Sequence, residues 1–465
     1  MGNIKPKDLS KLGYTDNTLR SIAIETINKY CKHSDKEQII TTLKAILQSP
    51  ESYRENTAWG KLASIISPPT KEVSHHELRD EPLSHHIFGA DNIDELAKRQ
   101  METAMLLPKT VAGALMPDGC AGYGLPIGGV LATSDDIVIP YAVGKDIACR
   151  MSLTLLDAGP DYLERHHDKA VQALIENTAF GLDGTIPFKQ YHELFDKSEF
   201  REIAILKKNR EKAIRQLGSS GKGNHFVDIC EVVIETNSQM GIAEGRYMAI
   251  LSHSGSRGLG AAIADVYTSI AKETCMLPRQ AGPFAWLNMT SEAGQEYWKC
   301  MEIAGEYAAA NHQFIHENVA KAMRLKPLIT VSNHHNFAWK ETLANGQQVI
   351  IHRKGATPAH QGELGIIPSS MATAGYIVSG KGNGDSLYSA SHGAGRTMSR
   401  LDARNSISRY AMNKMLAERN ITLIGGTTEE APLAYKDIDA VMDAQKDLIN
   451  MEGMIIPKIV RMSDE

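Results

Sequence analysis

Apolar residues recur along the chain at two different spacings. In residues 1–60 they follow a helical period, as in 19–27 and 39–47, which predicts helices in this region. Short runs of consecutive apolar residues predict strands at 226–234, 247–251, 328–331 and 349–351. Helical spacing returns in four further segments, at 198–217, 261–275, 298–323 and 402–418.

The predicted elements do not alternate in regular βαβ units. The pattern therefore favours an α+β fold over a doubly wound parallel sheet. We predict an N-terminal helical appendage at residues 1–70 and one catalytic domain at residues 71–465. Gly-rich turns with polar residues lie at the ends of the apolar runs, where functional groups are commonly carried.

Composition excludes several classes of protein. Of the 465 residues, 42% are hydrophobic and 23% are charged, which is ordinary for a globular chain and excludes disorder, collagen and coiled coil. The net charge of -5 argues against a protein that coats nucleic acid through a uniformly basic surface, but it leaves a local basic groove open. The N-terminus lacks the apolar core of a signal peptide, and the longest uncharged stretches are too rich in Gly, Pro and Ser to span a bilayer. We expect a cytoplasmic monomer without a membrane partner.

Common cysteine and glycine motifs are absent from the sequence. The six cysteines form no CxxC pair, so neither a disulfide framework nor a zinc ribbon is indicated. Gly218–Gly223 lacks the spacing of a phosphate-binding loop, and Gly122–Gly124 lacks that of a dinucleotide fold. Tight turns are the simpler explanation for these glycines.

Seventeen histidines raise the question of metal binding. His312 and His316 are four residues apart in a predicted helix, but no Glu completes an HExxH arrangement, so we expect an exposed helix face with a metal-binding pair as the alternative. The doublets at 75–76, 85–86 and 166–167 lie in charged surroundings and are expected to be solvated.

A second group of potential ligands lies in Gly-rich or strand-end turns beside small residues. One cysteine, one carboxylate and three histidines would suffice for two metal ions if the thiolate bridges them. Ligand softness by itself favours zinc over manganese. The members of this group are Asp146, Cys149, His225, His253 and His335.

Eight motifs, in the same order, resemble those of the RtcB family of GTP-dependent RNA ligases between about residues 110 and 440. Chance recurrence of eight motifs in order is negligible, although each one is weak alone. The motifs are 118–129, 146–149, 221–226, 253–258, 335–336, 352–356, 368–371, and 392–396 with 398–400. Asp228 departs from the usual Glu of the family, Cys120 from His, and Ser391 from Cys.

The resemblance implies an RtcB-like fold, with mixed and antiparallel sheets and surrounding helices around a central metal cleft. It also implies an enzyme that joins RNA 2',3'-cyclic phosphate or 3'-phosphate ends to 5'-hydroxyl ends. Such enzymes use GTP and two Mn²⁺ ions per chain, and they pass through a GMP-histidine intermediate and RNA(3')pp(5')G. The need for an activating protein partner stays open.

By motif, the nucleophile implied by the resemblance is His392, and a neutral imidazole is nucleophilic near pH 7. One Mn²⁺ would be held by Asp146, Cys149 and His225, and the other by Cys149, His253 and His335. The resemblance implies a guanylate site formed by Asn224, His225, Phe226, Val227, Asp228, His335, Asn336, Pro368, Ser369, Ser370, Met371, His392, Gly393, Ala394, Gly395 and Tyr435.

Two other functions remain open. One is an enzyme on the same scaffold that guanylylates or caps RNA 3' ends, or acts as a phosphoesterase, without sealing. The other is an inactive RNA-binding paralogue, against which the presence of both Cys149 and His392 argues. We expect RNA to approach over basic residues, namely Arg257, Arg353, Lys354, Arg396 and Arg400 of the motifs and Lys207, Lys208, Arg210, Lys212 and Arg215 of a helix.

Overall fold

A computed structural model of the chain describes residues 4–32, 34–67, 73–187, 190–236 and 238–464. The chain divides into two compact units between Glu72 and Val73. The predicted boundary between residues 70 and 71 lies outside the described residues. No helix in the described ranges combines the length and the apolar character needed to cross a membrane.

The N-terminal unit is helical, and it has a core of its own. Its helices are α1 (Pro6–Leu12), α2 (Asn17–Tyr30), α3 (Lys36–Gln48) and α4 (Gly60–Ile66), with a short 3-10 helix at Pro50–Tyr53. The carboxylates of Asp16 and Asp35 cap the N-termini of α2 and α3 by accepting main-chain N–H groups. Leu9, Leu43 and Leu62 are fully buried between the helices, so the helical spacing of the sequence marks a real apolar face.

The second unit contains the remaining helices and all the described strands. Its helices are α5 (Glu95–Met105), α6 (Pro140–Val143), α7 (Asp161–Asn177), α8 (Glu199–Glu202), α9 (Ala204–Gln216), α10 (Arg257–Thr274), α11 (Glu292–Met323), α12 (Arg400–Ser406), α13 (Arg409–Glu418) and α14 (Ile438–Asp443). Its strands are β1 (Ser74–His75), β2 (His86–Ile87), β3 (Thr110–Cys120), β4 (Ile127–Ser134), β5 (Ile137–Val138), β6 (Arg150–Leu156), β7 (Phe226–Ile234), β8 (Gly245–Ser254), β9 (Cys275–Met276), β10 (Leu287–Asn288), β11 (Pro327–His334), β12 (Asn336–Thr342), β13 (Gln348–Lys354), β14 (Ala356–Pro358), β15 (Leu364–Ile367), β16 (Gly375–Gly380), β17 (Ser389–Ser391), β18 (Thr422–Ile424) and β19 (Ile449–Met462).

Two larger sheets organise this unit. The first has eight strands, in the order β11-β6-β8-β7-β19-β16-β15, with β18 paired to β19. The second has five strands, in the order β12-β13-β4-β3-β2. Within these sheets, among the residues described, only β18–β19 and β2–β3 are parallel pairs. The predicted α+β fold with mixed and antiparallel sheets is therefore confirmed.

Side chains alternate between the two faces of the eight-stranded sheet. Val227 and Ile229 of β7 pack against α7 and α11 on one face. Cys230 of the same strand lies on the other face, in a cluster with Leu153 of β6 and Leu251 of β8. The largely apolar run at 226–234, predicted as a strand, is β7 with the same bounds, and most of its residues are apolar because both faces are covered.

Two predicted helices are each divided in the structure. The segment 198–217 forms α8 and α9, because Ile203 between them is extended and turns its side chain into the core. The segment 402–418 belongs to α12 and α13, because the Ser408 hydroxyl accepts the main-chain N–H of Ala411 and starts a new helix. The predictions of single helices were wrong at these two places.

Four neighbouring strands of the eight-stranded sheet, β11, β6, β8 and β7, begin or end at the same level along the strand direction, and we call this side of the sheet the sheet edge. Arg150 of β6 pairs with His334 of β11 and with Ser254 of β8. Phe226 of β7 pairs with His253 of β8. This register gathers potential ligands that are far apart in sequence at one edge, namely Cys149, His225, His253 and His335.

Candidate metal centre and nucleotide cavity

Five side chains converge at this sheet edge around the thiol of Cys149. Its Sγ lies 3.2 Å from His253 Nε2 and 3.5 Å from His225 Nε2. His225 Nε2 in turn lies 3.1 Å from Asp146 Oδ2, and His253 Nε2 lies 3.4 Å from His335 Nε2. The geometry thus contains two three-residue groups that share Cys149, and they are the two ligand sets that the resemblance implies. We call these five side chains the five-residue cluster.

The turn that carries Asp146 and Cys149 contains a residue with left-handed backbone geometry. Ala148 has a left-handed φ of 57°, which is unusual for a residue with a Cβ. Its main-chain N–H donates to the carbonyl of Asn336 at 2.7 Å, and the Cys149 carbonyl accepts the N–H of His335 at 3.0 Å. These bonds tie the turn to the start of β12, so the two parts of the five-residue cluster are fixed to each other.

Close approach to Asp146 requires a glycine at position 255. A Cβ at Gly255 would lie 2.1 Å from Asp146 Oδ1, well inside contact distance. The small residues between His253 and Gly258 in the sequence therefore have a steric reason in the fold.

The protonation states of the five-residue cluster suit a metal ion. His253 Nδ1 donates to the Asn224 carbonyl at 2.9 Å, which turns the Nε2 lone pair toward Cys149 and His335. Burial lowers the pKa of His253 to about 3, so the imidazole is neutral, the form that binds metals. Burial, and then the charge of Asp146, raise the pKa of the Cys149 thiol well above its usual value.

The neighbouring ligand atoms of the five-residue cluster lie 3.1 to 3.5 Å apart, close enough to share a cation. Burial by itself would raise the pKa of Asp146, but the hydrogen bond and charge of His225 outweigh it and lower that pKa. The carboxylate is therefore ionised, and a bound cation would also deprotonate Cys149. The residues present fit a metal centre with mixed S, N and O ligands.

His392 lies directly after β17, at the edge of this cluster. Its ring centroid is 4.8 Å from that of His335, and its Nδ1 lies 2.6 Å from Asp118 Oδ2. The same oxygen accepts the main-chain N–H groups of His392 at 3.0 Å and of Gly393 at 3.3 Å. An acceptor in this position places the imidazole proton on Nδ1 and leaves the Nε2 lone pair free.

Sequence reasoning assigned no role to Asp118. Its carboxylate is fully buried at the end of β3, on the five-stranded sheet, while His392 follows the short pair β14–β17. The one available signal is that Asp118 begins the Gly-rich motif 118–124. The hydrogen bond between Asp118 and His392 could not be predicted, because the two residues are 274 positions apart in the sequence.

The resemblance implies that GTP modifies His392, and replacement of Asp118 by Asn is expected to slow this modification by about 10²- to 10⁴-fold. An amide can present its NH₂ group to Nδ1 and so shift the ring proton to Nε2, which blocks the lone pair. Single-turnover labelling with radioactive GTP measures the effect. Metal content should equal that of the unaltered protein, and a labelling rate equal to that of the unaltered protein would contradict the orienting role.

A cavity of about 850 Å³ contains His392 in its wall. His253 also lines it, so the cavity reaches the five-residue cluster. Twelve of the residues implied for the guanylate site line it, namely Asn224, Phe226, Asp228, Pro368, Ser369, Ser370, Met371, His392, Gly393, Ala394, Gly395 and Tyr435. This volume suits a small-molecule ligand.

Four implied guanylate-site residues are not in the cavity wall. Val227 points to the opposite face of β7 and packs in the apolar core, so its assignment to the site is not supported by its side chain. His225 and His335 face the five-residue cluster instead. Asn336 braces two turns, because its Nδ2 donates to the Asp146 carbonyl at 3.2 Å and its Oδ1 accepts the Gly355 N–H at 2.8 Å.

An ion-pair network around the buried Glu430 in the cavity wall escaped the sequence analysis. Glu430 binds Arg396 at 2.8 Å and Arg400 at 3.1 Å, and it accepts the hydroxyl of Tyr435. The Arg396 guanidinium lies 5.1 Å from the Tyr435 ring centroid, so it covers one face of the ring. Burial, and then the charge of Glu430, raise the pKa of Tyr435 and keep its hydroxyl protonated. Glu430 lies outside the recognised motifs, and nothing in its sequence context marks it.

His312 and His316 are buried, and the prediction of an exposed helix face was wrong. His312 Nε2 lies 3.2 Å from the Ser254 carbonyl, which can only accept, so Nδ1 must accept the Ser252 hydroxyl proton at 2.6 Å. Ser252 then accepts from His316 Nε2 at 2.6 Å, and His316 Nδ1 accepts from Thr154 at 2.7 Å. Burial lowers the pKa of His316 to about 3, in agreement with this neutral chain. The pair braces β8 on the face opposite His253.

Replacement of His312 by Ala is expected to lower the free energy of unfolding by about 2–5 kcal/mol. The variant removes the acceptor of the Ser252 hydroxyl proton and a donor to the buried Ser254 carbonyl, at a cost of about 1–3 kcal/mol each. Urea denaturation measures the change. Replacement of Gln313 by Ala, on the exposed side of the same helix, is the matched control and should change stability by less than about 0.5 kcal/mol. Equal stabilities for the two variants would contradict the bracing role.

The expected basic surface is partly corrected by the structure. Arg353 is fully buried, where it pairs with Glu341 at 2.6 Å and donates to Ser389, so the prediction that it contacts RNA was wrong. The half-buried Arg257 donates to the carbonyl of Gly181 at 2.6 Å. Lys207, Lys208, Lys212 and Arg215 of α9 are exposed, whereas Arg210 is half-buried.

Comparison with known proteins identifies the family. The family described as "tRNA-splicing ligase RtcB" matches residues 100–462. The RNA-splicing ligase RtcB of Escherichia coli strain K12 is 31% identical, over 73% of this chain and 86% of that protein. The Mycobacterium tuberculosis protein of the same name is 32% identical over 77% of this chain and 98% of its own length, and the tRNA-splicing ligase RtcB of Nanoarchaeum equitans is 32% identical over 78% and 91%. The matched region contains the five-residue cluster, Asp118 and His392, and the chain belongs to the RtcB family.

Proposed function

We propose that the protein is an RNA ligase that joins 2',3'-cyclic phosphate or 3'-phosphate ends to 5'-hydroxyl ends, with GTP as the energy source. The observation that carries this proposal is the placement of His392, a histidine oriented by Asp118 in the wall of a nucleotide-sized cavity beside the five-residue cluster. A nucleophile, a nucleotide cavity and a metal centre in contact are what a nucleotidyl-transfer ligase needs.

The first step follows from the orientation of His392. Its Nε2 lone pair attacks the α-phosphorus of GTP, a P–N bond forms, and the bond to the bridging oxygen breaks with release of pyrophosphate. Asp118 stabilises the positive charge that develops on the ring, because it holds the Nδ1 proton. The product is GMP linked to His392, a reactive phosphoramidate that divides one difficult reaction into easier ones.

Two transfers complete the reaction. An oxygen of the RNA 3'-phosphate attacks the GMP phosphorus, the P–N bond breaks, and His392 regains its lone pair. The 5'-hydroxyl then loses its proton to solvent, its oxygen attacks the phosphorus of the RNA 3'-phosphate, and GMP leaves with the bridging oxygen. A 2',3'-cyclic phosphate must first be opened by water to a 3'-phosphate.

Two Mn²⁺ ions are proposed for the five-residue cluster. Asp146, Cys149 and His225 would hold one ion, and Cys149, His253 and His335 the other, with Cys149 as the bridge. When bound, the ions supply positive charge that neutralises the phosphates and aligns the displacement. Thiolate and imidazole would also accept zinc. Elemental analysis of the purified protein identifies the ion that it retains.

Labelling with α-³²P-GTP and a divalent metal tests the proposal. A covalent label that survives denaturing electrophoresis and is released by acid is expected, since phosphoramidates are acid-labile. Addition of RNA with 3'-phosphate and 5'-hydroxyl ends should then yield a joined product. A label without any joined product would favour the end-capping alternative, and no label with RNA still bound would favour the inactive paralogue.

The exposed cations of α9 are proposed to bind RNA phosphates. Neutralising Lys207, Lys208 and Arg215 together is expected to reduce the slope of log affinity against log salt by about 2 to 3 units, because each phosphate contact releases about one counterion. Fluorescence anisotropy across a salt series measures this slope. A matched control neutralises three exposed lysines of the N-terminal unit, at positions 29, 36 and 44. An unchanged slope in the α9 variant would assign this helix face to ordinary solvated surface.

A further inference from the structure

A large aromatic side chain projects into solvent from a fixed loop at the cavity. Tyr123, between β3 and β4, is 78% exposed and also lines the cavity that contains His392. The main chain around it is held on both sides, since the Gly122 N–H donates to Gln100 at 3.0 Å and the Lys354 ammonium donates to the Tyr123 carbonyl. A ring on a fixed main chain can bind a ligand without the entropic cost of ordering a loop.

A second tyrosine lies beside this ring, and the ammonium groups of two lysines lie over the second tyrosine. The ring centroid of Tyr141 lies 6.5 Å from that of Tyr123, with an angle of 40° between the ring planes. The ammonium groups of Lys272 and Lys354 lie 5.2 Å and 5.5 Å from the Tyr141 centroid. We call Tyr123, Tyr141, Lys272 and Lys354 the tyrosine platform.

The chemistry of the tyrosine platform is that of single-stranded nucleic acid recognition. Aromatic faces stack on bases of any sequence, and neighbouring cations hold the connecting phosphates. An apolar protein segment would leave both ammonium groups without anionic partners. The combination of the exposed Tyr123 ring and two neighbouring ammonium groups therefore favours an unpaired polynucleotide over a peptide.

The position of the tyrosine platform joins it to the proposed reaction site. Tyr123 shares the cavity wall with His392, while Tyr141 lies in α6, five residues before Asp146 of the five-residue cluster. An RNA whose terminal phosphate reaches that cluster through the cavity therefore has its last bases in reach of the Tyr123 ring, with Tyr141 beside it.

We propose that the tyrosine platform binds the unpaired terminal nucleotides of the RNA substrate by stacking, and so positions the end for ligation. The inference rests on the proposed function, because it takes RNA ends as the substrate. It predicts a contribution that depends on the terminal base and not on the phosphates alone.

Binding of short fluorescent RNAs by the Mn²⁺-loaded protein, without GTP, tests the inference. One RNA ends in a 3'-phosphate and another begins with a 5'-hydroxyl, and each is also prepared with an abasic terminal nucleotide. Tyr123→Ala should weaken binding of at least one natural end by about 5- to 100-fold, the range found for loss of one stacked base. Tyr123→Phe keeps the aromatic face and should bind nearly as well as the unaltered protein.

The abasic RNAs separate stacking from other causes. The unaltered protein should bind the abasic RNA about as weakly as Tyr123→Ala binds the natural RNA. On the abasic RNA, Tyr123→Ala should bind no more weakly than the unaltered protein. Tyr410→Ala is the matched control, since Tyr410 is also 78% exposed and is not among the residues that line the cavity. Full affinity of Tyr123→Ala for both natural ends, or an equal loss for natural and abasic ends, would overturn the tyrosine platform.

The proposed function and the tyrosine platform can fail separately. If the unaltered protein takes no label from GTP but binds natural ends more tightly than abasic ends through Tyr123, the ligase proposal fails and the platform stands. If labelling and joining occur while binding is indifferent to the terminal base, the ligase proposal stands and the platform is overturned.

Discussion

His392→Ala is expected to abolish the covalent GMP adduct, with labelling reduced by at least about 10⁴-fold. The substitution removes the Nε2 lone pair that would attack the α-phosphorus. The other described histidine that lines the cavity is His253, and its Nε2 faces the five-residue cluster. No second imidazole of the described cavity wall is therefore free to replace His392. Quantitative autoradiography after denaturing electrophoresis measures the adduct.

Two controls separate chemistry from structure in this experiment. Metal content measured by elemental analysis should stay at the level of the unaltered protein, because His392 belongs to neither three-residue group of the five-residue cluster. His360→Ala also removes a carboxylate-paired imidazole, since His360 Nε2 lies 3.3 Å from Glu341, and it should label normally. A normal adduct in His392→Ala would refute the assignment of the nucleophile.

Cys149→Ser is expected to retain fewer than two metal ions per chain and to lose RNA joining by at least about 100-fold. The thiol lies within 3.5 Å of both His225 and His253, so both ligand sets lose their shared donor. A serine hydroxyl stays protonated where a thiol is deprotonated by a metal, and it is a poor bridge. Elemental analysis and a joining assay measure the two effects.

Cys300→Ser is the matched control for this substitution. Cys300 is also buried, and its Sγ lies 3.7 Å from the Tyr267 hydroxyl, so a serine there has a hydrogen-bond partner. Its metal content and joining rate should stay near those of the unaltered protein. Two tightly bound ions in Cys149→Ser would rule out the bridging thiolate.

Several features of the site could be predicted because they depend on local chemistry. A thiol, a carboxylate and imidazoles in turns with small neighbours are potential ligands wherever the chain places them, and the motif order identified them as one set. The largely apolar run at 226–234 predicted a strand, and β7 has those bounds. Motif residues that line the cavity, such as Phe226 and Ser370, were found in the same way.

Contacts between distant segments could not be predicted in this way. The bond between Asp118 and His392 joins the end of the five-stranded sheet to the residue after β17, and Glu430 meets Arg396 across 34 residues. His312 and His316 have the sequence of a polar helix face, yet they are buried because serine and threonine side chains on β8 and β6 supply their partners. Arg353 was expected to contact RNA, but it forms an ion pair with Glu341 on the neighbouring strand.

The sequence by itself determined which potentially reactive residues the chain carries and in which motif order, since these are local properties. Periodicity predicted several of the helices, and apolar runs predicted four of the strands. Only the tertiary structure decided which polar groups face the site and which form ion pairs and hydrogen bonds within the protein. This division depends on strand register and on partners far away in the chain. The pairing of Arg150 with His334 and Ser254 gathers the five-residue cluster at one sheet edge. The alternation of β7 turns Asp228 toward the cavity and Val227 away from it, for the purely geometric reason that neighbouring side chains on a strand point to opposite faces.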